Sequence, residues 1–396
     1  MSHLVFRGRL FDGEETMEDG MVVVDQSKGT IVSAGRSSDV ERPKGAKVIS
    51  HPGATIIPGL MDAHLHFFGS TKHDLMDWVT IPETMTALRG AAEMRKLLQA
   101  GFTAVRDLGS KTGAYISQAE REGLIEGPRV IAAAKSLAQT GGNDDPPALP
   151  INVSQQLSYS YYCDGPWECR RAVRLCLRDG AEVIKVYASG SFAQGRPPRP
   201  QLTVEELKAI VDEAHRAYVK VAAHAYGEIP LSSVIEAGVD SIEHGIGLTD
   251  EIADRIKKKG IYYVPTLSAF VAAKPSASAE RNAFIKRHLT EDMRIAKEHD
   301  LKLCCGSDYV GCEGQLHGQN YDEITSLARF FGAKKALVAA TSTDAECLGL
   351  KDRGRLKSGY QADLVVVEGN PTRSAANLAP EHVLYVVKGG KTYRSP

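Results

Sequence analysis

The sequence predicts an α/β fold: a (β/α)8 barrel of the TIM type, with a small β-sandwich domain built from both chain ends. Three observations point there. Between residues 54 and 350, amphipathic helical segments alternate with short apolar strands. Eight such strands can be counted. Both ends of the chain read instead as short strands joined by turns. Alternation of this kind implies parallel strands with crossover helices, and eight units close into a barrel. An open doubly wound sheet is the runner-up, but no G-x-G-x-x-G follows the first strand.

Residues 1–52 form the first part of the sandwich, with "HLVFRGRLFDG", "GMVVVD", "GTIVSAG" and "AKVIS" as its strands. Residues 53–350 form the barrel, with strands at 54–66, 102–108, 129–135, 182–188, 220–226, 240–244, 261–267 and 301–307. Residues 351–396 supply the second part through "ADLVVVEGNP" and "VLYVVKGGKTY". Neither end could easily bury a two-sided sheet alone. Several helices stop at a glycine before the next strand: Gly101, Gly180, Gly238 and Gly260. Glycine past a helix end adopts the left-handed conformation at little steric cost. The clearest helix is "LTVEELKAIVDEAHRAYVK". Thr203 and Glu206 have capping-box spacing, and Leu207, Ile210, Val211, Ala214 and Tyr218 share a stripe. The polar 136–165 stretch reads as a long loop, functional or disordered.

The chain has 396 residues, 43% hydrophobic and 24% charged, as in a soluble globular protein. Its 48 basic and 49 acidic residues nearly cancel, so neither nucleic acid nor a membrane is expected as a partner. The basic run Lys257–Lys259 reads as a solvated helix tip. "MSHLVFRGRLFDGEE" has no long apolar region of the signal-peptide kind. Seven cysteines without a C-x-x-C pair fit free thiols in a reducing compartment. A cytoplasmic protein is expected.

The chemistry is carried by strand ends. "TIIPGLMDAHLHFFG" closes an apolar run with His64 and His66. Residues i and i+2 of a strand face the same side, so the two imidazoles converge. The fourth strand brings Lys185 in "VIKVYASG", the fifth His224 in "VAAHAYG", the sixth His244 in "SIEHG" and the eighth Asp308 in "LCCGSD". Any one of these alone reads as a hydrogen-bonded core residue or a turn. Their shared place at the C-terminal ends of barrel strands, where barrel sites lie, points to a metal site. Burial would lower the pKa of Lys185, and a neutral amine can add CO2 to become a carbamate able to bridge two cations.

These motifs, with "GFTAVRDLG" and "ADLVVVEGNP", resemble the amidohydrolase superfamily over nearly the whole chain. The first motif together with the strand-four lysine resembles its dinuclear-metal subtype with a carboxylated lysine. "CDGPWECRRAVRLCLRDGAEVIKVYASGS" is similar to the group of Xaa-Pro dipeptidases, Xaa-Arg carboxypeptidase-like enzymes and ochratoxin-type amidases. The resemblance implies two divalent ions, usually Zn2+. His64, His66 and Asp308 would hold one, His224 and His244 the other, and carboxylated Lys185 would bridge them. It implies cleavage of an amide bond in a dipeptide or N-acyl amino acid by a bridging hydroxide, with Asp308 as general base and then general acid. Tyr226 would hydrogen-bond the substrate carbonyl, and His317 of "HGQN" would line the pocket. In two places the chain departs from the group. Asn143 of "TGGNDD" stands where relatives carry a substrate-contacting histidine. The insertion "SFAQGRPPRPQ" brings Arg196 and Arg199, candidates for a substrate carboxylate.

Rival readings are hydrolysis of a carbamate, urea or cyclic amide on the same centre, a mononuclear aminohydrolase, and a non-catalytic scaffold. Lys185 argues against the second, and the full set of six ligand positions against the third. The resemblance also implies a homo-oligomer.

Overall fold

The computed structural model describes residues 3–192, 198–271 and 278–396. Parallel strands run in the order Lys302–Leu303, Tyr262–Val264, Ser241–Ile246, Lys220–Tyr226, Val183–Tyr187, Ser136–Ala138 and Ser160–Tyr162. A second parallel set is Leu60–Leu65, Phe102–Asp107 and Arg129–Ala132. Backbone hydrogen bonds join the two sets at both seams. Glu182 N donates to Ala132 O (2.8 Å) at one, and Ala63 N donates to Cys305 O (2.7 Å) at the other. The sheet is thereby closed into a barrel, with the helices outside.

Side-chain parity follows the pleat. Val183 and Ala222 belong to the apolar cluster that fills the barrel, while Ile184, Val186, Val221 and Ala223 belong to the layer under the helices. Strands apolar on both faces are what a helix-covered parallel sheet requires. Lys185 and His224 therefore inherit the inward direction two residues beyond Val183 and Ala222.

The chain ends meet on one strand. Lys47–Pro58 pairs parallel with His3–Phe11 and antiparallel with Leu364–Glu368, at the centre of a seven-stranded sheet. The sheet folds over so that Ile31 N reaches Tyr360 O (2.8 Å) and Ala362 N reaches Gly29 O (2.9 Å). Leu364, Val366 and Ile56 face the small domain's own core, and Val365, Val367 and Ile57 face the barrel.

Several expected boundaries differ. The strand read as 54–66 is divided at Gly59: residues up to Pro58 pair within the terminal sheet and only Leu60–Leu65 joins the barrel. Pro58-Gly59 marks the break in the sequence, but both halves are apolar and buried, so the run does not show that they belong to different sheets. The strand read as 129–135 breaks at Ala134, which has φ +56°, and resumes at Ser136. The eighth strand shrinks to Lys302–Leu303, the chain beyond it being tied on through single hydrogen bonds. The 136–165 stretch is ordered, with a helix at Ile151–Leu157 and short strands at either end. The capping box at Thr203 forms and Leu207, Ile210, Val211 and Ala214 are buried. Tyr218, however, is 98% exposed, because the helix ends at Arg216 and Tyr218 turns left-handed into the next strand. Lys257–Lys259 is the exposed end of the helix Asp250–Lys259, closed by Gly260 in the left-handed conformation. All seven cysteines are buried free thiols. Among the described residues no helix is long and apolar enough to cross a membrane.

Gly306 lies at the closing seam, packed against Val264 and His64. A Cβ there would come within 2.5 Å of Val264 Cγ1 and 2.7 Å of His64 Cβ. Overpacking of this kind costs about 1–3 kcal/mol. Gly306→Ala is expected to lower unfolding free energy by that amount in urea denaturation.

Candidate metal centre

Six side chains gather where the barrel strands end. His64 Nε2 and His66 Nε2 each lie 3.3 Å from Asp308 Oδ1, and His64 Nε2 lies 3.4 Å from Lys185 Nζ. The donor atoms of His64, His66 and Asp308 all fall within 4.8 Å of one another. The His64 and His244 rings are 5.1 Å apart, and those of His224 and His244 are 4.6 Å apart. The cluster lies in a cavity of about 640 Å³, bordered also by Tyr226, Asn143 and Asp144.

Two members face the cavity only because the backbone turns. In the strand Ser241–Ile246, Ser241 and Glu243 point inward, so simple alternation would send His244 outward. His244 instead adopts φ +64°, which swings it to the cavity; Asp308 does the same at φ +57°. Non-glycine residues in this region cost of order 1–3 kcal/mol each, and they concentrate at functional sites.

The second nitrogen of each imidazole is committed elsewhere. His64 Nδ1 meets Glu243 Oε2 (2.8 Å), His66 Nδ1 meets Gly109 O (2.9 Å) and His244 Nδ1 meets Thr266 Oγ1 (2.7 Å). The Glu243 carboxylate and the Gly109 carbonyl only accept, so His64 and His66 carry their proton on Nδ1 and keep the Nε2 lone pair free for a ligand, while the Thr266 hydroxyl, able to donate or accept, holds the His244 ring in place. His224 does the reverse: its Nε2 meets Gly190 O at 3.3 Å, leaving Nδ1. Burial, followed by the nearby Lys185 charge, pushes His224 down to about 3. Burial and the neighbouring His224 put His244 well below its ordinary value. Both rings are neutral, the form in which an imidazole can bind a metal. Asp308 is the opposite case. Burial works against its charge, but the facing His64 holds its carboxyl well below the usual range. Burial lowers Lys185 to about 8, against the pull of Glu243 and Asp308. Neutral imidazoles, an ionised carboxylate and an accessible neutral amine fit divalent cations.

Other expected residues fall in different places. Tyr226 stacks on His224 (centroids 4.3 Å apart), and burial keeps its phenol protonated. Asn143 borders the cavity and donates from Nδ2 to Asp144 Oδ1 (3.0 Å). His317 is buried behind the cavity and is not among its lining residues; its Nε2 lies 3.1 Å from His66 O. The rest of its motif also braces the site. Asn320 Nδ2 donates to Asp62 Oδ2 (2.7 Å), and Glu323 accepts from the backbone N–H groups of Leu267 and Ser268. Arg199 is exposed and does not border the cavity. Arg196 lies outside the described residues.

Sequence reasoning missed the layer beneath the ligands. Arg106 is fully buried, donating to Glu243 Oε1 (2.8 Å), Ser241 Oγ (3.1 Å) and Ala63 O (2.5 Å). Burial would raise Glu243, yet Arg106 and His64 hold it down at about 2. Asp62 accepts from His64 N (3.0 Å) and from Ser307 N (3.1 Å), tying the first strand to the segment after the eighth. Asp144 accepts from Tyr159, Ser160 and Ser136 on the third-strand loop. A signal was available: Arg106 and Glu243 are charges inside otherwise apolar strands, which occur in a core only when paired.

Imidazole and carboxylate donors collected at the C-terminal ends of barrel strands define the class: a barrel enzyme built to hold divalent metal. The chain belongs to the amidohydrolase family, whose model matches residues 55–393. Ochratoxinase from Aspergillus niger is 31% identical to it, over 99% of this chain and 87% of that protein. The crystal structure of A. niger ochratoxinase superposes with a TM-score of 0.91 at 29% identity, covering 100% of this chain and 96% of the other. A prolidase complexed with N-methylphosphonate-L-proline gives 0.89 at 30% identity, with both chains fully covered. A Xaa-Pro dipeptidase with methionine in its active site gives 0.84 at 30% identity, again with both chains fully covered. The family is metal-dependent and its members are hydrolases.

Glu243→Gln weakens the bond that fixes the His64 tautomer and leaves Arg106 without its buried counter-charge. Loss of such a supporting partner typically costs about 10–100-fold in metal affinity. Competition with a chromophoric chelator is expected to show a decrease of that size.

Proposed function

We propose that this protein hydrolyses the amide bond of a dipeptide or an N-acyl amino acid, using two zinc ions and a carboxylated Lys185. The observation that carries the reading is the convergence of His64, His66, Asp308, His224, His244 and Lys185 at one point of one cavity. The likeness to ochratoxinase and to proline dipeptidases supports amide cleavage over carbamate, urea or lactam hydrolysis and over deamination.

His64, His66 and Asp308 would hold one ion, and His224 and His244 the other. Lys185 Nζ, buried and without a carboxylate in hydrogen-bond contact among the described residues, is suited to carry the bridging carbamate. The ions would supply Lewis-acid activation of the substrate carbonyl and of water. Asp308, ionised at the cavity floor, takes a proton from the attacking water and passes it to the leaving nitrogen, acting first as base and then as acid. Tyr226, protonated, donates a hydrogen bond to the carbonyl oxygen as negative charge develops there. The free buried thiols support residence in a reducing compartment, and a homo-oligomer completes the proposal.

A panel of Xaa-Pro dipeptides, N-acyl amino acids, carbamates and lactams, assayed with zinc-loaded protein and after chelation, tests the reading. Metal-dependent release of an amino acid from the first two classes is expected; turnover confined to carbamates or lactams, or indifferent to chelator, would overturn it. Lys185→Ala removes a ligand rather than its support, so kcat is expected to fall by more than about 100-fold. The circular dichroism spectrum should stay unchanged, and a short carboxylic acid should restore part of the rate.

A further inference from the structure

One wall of the cavity is supplied by the helix Ala279–Arg287. Arg281, Phe284 and Ile285 all border the cavity; at spacings of three and four residues they share one helix face. Phe284 meets Phe192 edge-on (5.5 Å) and lies 6.0 Å from Tyr226, which itself contacts both His224 and His244. Arg281 is thus joined to the metal cluster through one aromatic layer. Its charge reaches the Tyr226 phenol, opposing part of the upward push that burial gives it.

Among the described residues bordering the cavity, the Lys and Arg side chains are Lys185 and Arg281. Lys185 belongs to the metal cluster. Glu313, at the cavity edge, is exposed. The part of the cavity wall beside His66 is apolar and aromatic: Phe68 stacks on His66 (4.7 Å) and on Trp78 (4.8 Å). A molecule whose amide lies at the cluster would therefore meet a flat apolar surface there. Elsewhere it would meet a guanidinium beyond a phenylalanine.

We infer that Arg281 is the specificity-determining residue that receives the free carboxylate of the substrate, with an aromatic or bulky apolar acyl group on the Phe68–Trp78 wall. A guanidinium matches a carboxylate bidentately, and a partly buried setting strengthens the pair. The arginines of the strand-four insertion are not needed: Arg199 does not border the cavity. The inference rests on the amide-hydrolase reading above and assigns the side chain that binds the carboxylate which dipeptides and N-acyl amino acids share.

The test compares N-benzoyl-L-phenylalanine with its decarboxylated analogue, N-benzoyl-2-phenylethylamine, both followed by release of benzoate from the zinc-loaded enzyme. The wild type should favour the carboxylate compound. In Arg281→Met, which keeps an apolar stem without the charge, the ratio of the two kcat/KM values should fall by about tenfold or more, mainly through KM. Arg281→Lys should recover part of it. A ratio equal in wild type and Arg281→Met overturns the assignment, even if both compounds are cleaved and the amide-hydrolase reading stands. Should neither be cleaved, that reading loses support, and calorimetric titration of the same pair decides the Arg281 assignment alone. Tighter binding of the carboxylate compound that Arg281→Met abolishes upholds it, and equal binding of the pair by the wild type overturns it.

Discussion

The site depends on one buried chain of contacts: Arg106 to Glu243, and Glu243 to His64. All three side chains are removed from water; Arg106 and Glu243 are opposite charges, and His64 is hydrogen-bonded to the carboxylate. An unpaired charge at that depth would cost several kcal/mol, and removing one partner of such a pair typically costs about 3–5 kcal/mol. The pair is therefore retained for what it positions. Glu243 has one oxygen on Arg106 and the other on His64 Nδ1. It thereby sets the imidazole's tautomer, and the remaining nitrogen can only face Asp308 and Lys185.

The same logic recurs around the rim. Gly109 O and Thr266 Oγ1 hold His66 and His244, and Asp62 binds backbone N–H groups of both the first strand and the segment after the eighth. His317, Asn320 and Glu323 extend the bracing outward, each fixing a residue in or beside a ligand-bearing loop. Side chains held this way are fixed in position before anything binds in the cavity. The left-handed turns at His244 and Asp308 are tolerated because this bracing over-determines them.

Burial also divides the titratable groups by role. It keeps the His224 and His244 rings neutral, lowers Lys185 towards the amine and keeps Tyr226 protonated, while the histidines facing Asp308 keep that carboxylate charged. One cavity thus gathers neutral imidazoles, a charged carboxylate, a protonated phenol and a lysine whose amine form is brought within reach.

The alternation of helix and strand determined the barrel, because period and turn chemistry are local properties. The spacing of His64 and His66, and the recurrence of Lys185, His224, His244 and Asp308 at strand ends, made the gathering of these side chains in one cavity legible for the same reason. Sequence could not show that the run broken at Pro58-Gly59 is shared between two sheets, since both halves are equally apolar. Nor could it show that His317 lies behind the pocket. It gave no hint that His244 needs a left-handed turn to face the cavity, or that the arginine bordering the cavity belongs to the helix Ala279–Arg287. Those placements are set by contacts between residues far apart along the chain, and only tertiary packing decides them.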